Sequence, residues 1–265
     1  MFTHPLLQGR SRGNDAVHAD SGVTDGQSDC RCGFWIPDSW AGAGKWGGVE
    51  DHRGAEGYKY AYHFGPELDF LSLAGVTGEV LNVRDRVSRL MKSGELIGLV
   101  PGIYVTAPEL RKRPISLEIL ANKIFGPSYV SFEYILARAG LIPESVRLVT
   151  SATPKRNRDF DTPLGRFSYR HLPPTAYSFG WTREELPDGA GYLVARPEKA
   201  LLDWLYRAGS LRSTSALEKR LFEDLRLDQD LFQDLDQVRL AEYCARMPGA
   251  TFRVHFARLL GRNHA

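Results

Sequence analysis

From Pro66 onward the apolar positions of this chain fall at regular intervals, and before it they do not. PELDFLSLAG (66–75) reads as a short helix with Gly75 just past its end. NVRDRVSRLMKSG (82–94) is clearer. Val83, Val87, Leu90 and Met91 fall at i, i+4, i+7 and i+8, the spacing of one buried helix face. Asn82 stands where an N-cap belongs, with Asp85 three residues on as in a capping box. Gly94 is placed to end the helix in a left-handed conformation. ELIGL (95–99) and GIYVT (102–106) then read as two strands around the turn signal Val100-Pro101-Gly102.

APELRKRP (107–114) reads as a linker carrying three cations, Arg111, Lys112 and Arg113. Beyond it the pattern resumes. ISLEILANKIF (115–125) and SFEYILARAG (131–140) are helices, the second capped by Ser131 and stopped by Gly140. SVRLVTSA (145–152) is a strand, NRDFDTPLGRFSYRHL (157–172) a hairpin turning at Thr162-Pro163-Leu164-Gly165, and AGYLVA (190–195) another strand. RPEKALLDWLYRAG (196–209) is a core helix with Pro197 in its first turn. Three more helical stretches follow from Ser213, with an acidic run between Glu223 and Asp236 that reads as a solvated face. The expected class is α+β, with an N-terminal module at 66–106, the linker at 107–114 and a mixed α/β C-terminal domain at 115–265.

Residues 1–65 carry no sustained period and are rich in Gly, Asp, Ser and Trp, as in WAGAGKWGGVEDHRGAEG. They read as a disordered extension, or as the product of a start site placed too far upstream.

Composition narrows the function classes. The chain has 265 residues, 43% of them hydrophobic, and a net charge of +2, so bulk charge alone does not point to nucleic acid. No apolar run approaches the roughly 18 residues of a membrane span. Three cysteines, Cys30, Cys32 and Cys244, with no secretory pattern suggest reduced thiols in a cytoplasm. Cys30-x-Cys32 lacks a second pair, and no P-loop, G-x-G-x-x-G or H-E-x-x-H occurs, so neither metal nor cofactor is expected.

Local charge says more. Arg84, Arg86, Arg89 and Lys92 against the single Asp85 give the 82–94 helix a local charge of 4 − 1 = +3. Two helices followed by a two-stranded hairpin is the layout of a winged helix-turn-helix. There a helix buries one face and offers the other to the major groove. On that reading Arg84, Arg86, Ser88 and Arg89 contact bases, while Lys92 and the 111–113 cations hold phosphates. Charge and period alone also admit an ordinary amphipathic helix with a solvated face. Lys155, Arg156 and Arg158, with Arg166 and Arg170 on the hairpin, form a candidate second backbone contact, or a solvated loop beside Phe167 and Tyr169.

Four segments in order, GELIGLVPGIYV, IFGPSYVSFEYILARAGLIPE, TSATPKRNRDFDTPLGRFSYRHLPP and RPEKALLDWLY, resemble the AbiEi family of type IV antitoxins over roughly 82–206. The resemblance implies an N-terminal winged helix-turn-helix that binds inverted repeats in double-stranded DNA of its own promoter. It also implies autorepression, and counteraction of a cognate nucleotidyltransferase-like toxin, often without a stable complex. Members of that family tend to bind each repeat as monomers, so a monomer in solution is expected. The chain departs from the family in two places. DHRGAEGYKYAYHF (51–64) is a weak first helix, and the residues before the hairpin's Gly-x-Tyr, Leu99-Val100-Pro101, carry no charge. The second departure shifts phosphate contact onto the 82–94 helix and the 111–113 cations.

Two other classes remain open. A metal-dependent nuclease would use Asp159, Asp161 and Lys199, although their spacing is not that of a nuclease motif. A protein-interaction module with a vestigial winged domain fits the uncharged hairpin. Glu198, Lys199 and Asp203 read as core, and His171 as a hydrogen-bonded structural histidine in a core segment.

Overall fold

A computed structural model describes residues 65–77, 82–209 and 212–263, all of them within one unit, Asp51–Ala265. The class is α+β. The expected N-terminal extension up to residue 64, with Cys30 and Cys32, lies outside the described residues.

The first module opens with β1 (Glu67–Asp69) and α1 (Phe70–Thr77), continues with α2 (Val83–Lys92), and closes with β2 (Leu96–Val100) and β3 (Ile103–Thr106). The strands form an antiparallel sheet in the order β1-β3-β2. Alternation divides the sheet between two cores. Leu68 and Leu96, with the half-buried Tyr104, join Leu73, Val83, Val87 and Leu90 of the helices. Leu99, Ile103 and Val105 point the other way and belong to the main core. The hairpin is therefore a layer between the two helices and the rest of the chain.

The ends of the two helices show their local causes. Asp69 caps α1, its Oδ1 accepting from the Ser72 N–H at 2.7 Å and the Ser72 hydroxyl at 2.9 Å. The Phe70 N–H donates to the carbonyl of Gly102 in the hairpin turn, at 3.0 Å. α2 ends in a Schellman motif. The Glu95 N–H reaches the Leu90 carbonyl at 2.9 Å, the Gly94 N–H reaches Met91 at 3.2 Å, and Gly94 holds φ +79°.

Several expectations need correction here. The helix expected over 66–75 begins only at Phe70 and runs through Gly75, because Glu67, Leu68 and Asp69 pair with β3. Met91 is exposed rather than buried. It stands at the rim of the apolar face, where its Cε lies over Gly98, and a Cβ on that glycine would come within 3.2 Å. Asn82 sits at the N-cap of α2 but makes no side-chain capping bond.

The main body follows with α3 (Leu117–Ile124), β4 (Tyr129–Val130), α4 (Phe132–Arg138), β5 (Val149–Thr153), β6 (Arg158–Thr162), β7 (Gly165–His171), α5 (Pro174–Tyr177), β8 (Trp181–Glu185), β9 (Gly191–Ala195) and α6 (Pro197–Arg207). Its mixed sheet runs β6-β7-β5-β4-β9-β8. The chain ends in α7 (Thr214–Glu218), which passes into a π-helical turn (Lys219–Asp224), then α8 (Gln229–Asp234), α9 (Gln237–Arg246) and α10 (Ala250–Asn263). Among the described residues that is four α-helices where three were expected. The acidic run supplies two of their caps, the side chains of Asp228 and Asp236. Ser131 does not cap α4. Its hydroxyl donates instead to Asp203.

Candidate nucleic-acid interface

α2 buries Val83, Val87 and Leu90 and leaves Arg84, Asp85, Ser88, Arg89 and Lys92 exposed, with Arg86 half-buried. The side chains of Arg84, Arg89 and Lys92 form no ion pair, hydrogen bond or ring contact with any described residue. Solvated cations of this kind, on one face of a ten-residue helix about 15 Å long, can meet a polyanion without first breaking a protein contact. The hairpin turn, Pro101-Gly102, presents no charge.

The 111–113 cations have separate fates. Lys112 is exposed. Arg111 spends its Nε on the Thr106 carbonyl at 2.8 Å, at the end of β3. Arg113 does not fit the phosphate role expected from sequence. Its two terminal nitrogens meet the two carboxylate oxygens of Glu67 at 2.7 and 2.8 Å, and its Nε meets Asp188 in the β8–β9 turn. Burial works to lower the Arg113 pKa, and the two carboxylates more than offset it, holding the value above the usual one.

Sequence reading missed the joint that Arg113 belongs to. Glu67 is buried and also accepts the Ser116 N–H at 2.6 Å, at the start of α3. Asp69, two residues on, meets the Lys123 ammonium of α3 at 3.0 Å. Burial tends to raise the Asp69 carboxyl, but Lys123 and the N–H and hydroxyl of Ser72 outweigh it, so its pKa lies below the ordinary value. Glu67 and Asp69 share the strand face opposite Leu68, and that alternation was the available signal.

The second cationic group lies on the β5–β6 connection and the edge strand β6. Arg156 is exposed and unpartnered among the described residues. Lys155 donates to the Gly126 carbonyl and sits 5.1 Å from the centre of the Phe125 ring. Arg158 lies 4.7 Å over Phe160 and 5.6 Å from Phe125. Arg166 and Arg170 pair with Asp159 rather than extending the group, and Arg170 is the main cause of that carboxyl's lowered pKa. Phe167 and Tyr169 are both buried, as the alternation required.

The residues proposed for nuclease chemistry are not brought together. Asp159 and Asp161 stand on β6, at one edge of the sheet, with arginine partners. Lys199 packs against Gly180, beside β8 at the other edge, and is paired with Asp203. Both members of that pair are buried, and Asp203 also accepts the hydroxyls of Tyr129 at 3.0 Å and Ser131 at 2.8 Å. Burial pulls the Lys199 ammonium down and pushes the Asp203 carboxyl up. Glu198, also buried, pairs with Arg239 at 3.0 Å. His171 is exposed at the end of β7 rather than in the core, its Nδ1 3.1 Å from the Lys155 carbonyl. Among the described residues no cluster of His, Cys, Asp or Glu is arranged to hold a metal ion, and no helix is long and apolar enough to cross a membrane.

No protein-family model matches this chain, and no curated protein matches it.

Proposed function

We propose that this chain is a DNA-binding antitoxin of the AbiEi type, in which residues 66–106 act as a winged helix-turn-helix and α2 is the helix that enters the major groove. The observation that carries this reading is the division of α2. One face is buried through Val83, Val87 and Leu90, and the other offers Arg84, Ser88, Arg89 and Lys92 to solvent. Arg84 and Arg89, with Arg86 at the flank, contact base edges, and Lys92 and Lys112 hold phosphates. The antitoxin assignment rests on the resemblance of residues 82–206 to that family, and with it the inverted-repeat operator, autorepression and the nucleotidyltransferase-like toxin as counterpart.

The test is binding of the purified chain to the DNA just upstream of its own reading frame, at several salt concentrations, beside a scrambled duplex of equal length. Tighter binding to the native fragment, with affinity falling steeply as salt rises, is the expected outcome. Equal binding to both duplexes, or none to either, would reject it.

A second reading, a protein-interaction module, is favoured by one observation. The hairpin strands spend Leu99, Ile103 and Val105 on the main core, and the turn between them carries no cation.

A further inference from the structure

Among the described residues β8 ends the six-stranded sheet, with β9 on one side and no strand on the other. The bonds flanking it fix which backbone groups are free. The Arg196 N–H donates to the Gly180 carbonyl at 2.9 Å and the Leu186 N–H to the Ala190 carbonyl at 2.7 Å. With Thr182 opposite Val194 and Glu184 opposite Tyr192, the even-numbered residues of β8 therefore bond to β9. The N–H and C=O groups of Trp181, Arg183 and Glu185 point outward. Their side chains are the exposed ones, whereas Thr182 and Glu184 are half-buried. The opposite edge is different, because β6 is approached by β2. An open strand edge is a template for pairing with another strand.

The charges along this edge suit a second copy of the same strand. In an antiparallel pair centred on Glu184, Arg183 stands opposite the partner's Glu185, and the two-fold axis repeats the contact. Trp181 meets the partner's Pro187. Glu184 would face its own copy on the other side of the sheet, but Arg138 at 2.8 Å and the Tyr192 hydroxyl at 2.7 Å already engage it. Centring the pair on Arg183 instead would set two arginines opposite each other, which is unfavourable.

We propose that two copies of this chain pair through β8, antiparallel about Glu184, to make one sheet continuous across a two-fold axis. The strand is five residues long, so the contact is small and the association weak. It differs from the monomer that the family resemblance implies, and it does not rest on DNA binding.

Sedimentation equilibrium of the full chain, from micromolar to sub-millimolar concentration, should show a reversible monomer–dimer equilibrium. R183E and E185R, each checked for an unchanged circular dichroism spectrum, should each weaken self-association at least tenfold by setting like charges opposite each other. Mixed in equal amounts they should form a 1:1 heterodimer, because every cross-strand pair then joins opposite charges. Within one copy Arg183 and Glu185 pair with each other along the strand, each more than half exposed, so the dimer exchanges that exposed contact for the cross-strand one. R183P, which removes an outward N–H and leaves the bonds to β9 in place, should also be monomeric. A parent chain that stays monomeric throughout, single variants that dimerise as the parent does, or a mixture that fails to recover the dimer would each overturn the proposal.

Discussion

Glu67 and Arg113 meet through two parallel hydrogen bonds of 2.7 and 2.8 Å, and the carboxylate is buried. The pair joins the first strand of the small sheet to the segment leading into α3. That segment is consequently a fixed joint, reinforced by Ser116 and Asp188, rather than a free tether. The orientation of α2 relative to the main body is set through the same contacts, because Leu68 between Glu67 and Asp69 packs under α2.

Arg113→Ala should therefore act on stability. It leaves Glu67 as a buried charge without its main partner, at a cost of about 3 kcal/mol. Urea denaturation should show the loss. A phosphate ligand at this position would instead leave the denaturation midpoint unchanged and flatten the salt dependence of DNA binding.

Asp69 should make the joint acid-sensitive. Its folded pKa lies below the ordinary 3.8, so the unfolded chain takes up the proton first as pH falls. The stability it contributes is whole above that ordinary value and is lost as pH drops through it toward the folded value. Parent and D69N should differ in stability at about pH 6, and the difference should shrink as pH falls below 3.8. A difference that stays constant over that range would mean Asp69 contributes nothing through its charge.

The buried Lys199–Asp203 pair should be costly to break from one side only. Asp203→Ala strands an ammonium together with the hydroxyls of Tyr129 and Ser131, and should destabilise by about 3–5 kcal/mol. The double variant K199M/D203L removes both charges and should recover much of that loss, which thermal or urea unfolding would report. Equal losses in the two would show that the ion pair is not what the site depends on.

Sequence was legible where the local signals agree and no distant contact overrides them. α2 was legible because its period, its cations and the Gly94 stop all agree. β1 was not, since Glu67 and Asp69 look like solvated helix residues until their partners 46 and 54 positions away are known. β8, written WTREE, carries the polar composition of a loop and is a strand only because it pairs with β9. Ser131 carries the chemistry of a cap, yet a buried carboxylate from α6 claims its hydroxyl. Within the candidate site, exposure of the α2 cations followed from helix geometry, while the capture of Arg113 by Glu67 depended on a long-range contact that local pattern does not encode.

Whether α2 reads DNA is tested most directly by comparing R89A and K92A with the parent on the upstream fragment and on a scrambled duplex across a salt series. R89A should lose roughly 1–3 kcal/mol on the native fragment and much of its preference over the scrambled one. K92A should weaken binding to both alike and reduce the salt slope by about one. Binding by both variants that matches the parent in affinity, preference and salt slope would contradict the assignment of α2 as the recognition helix.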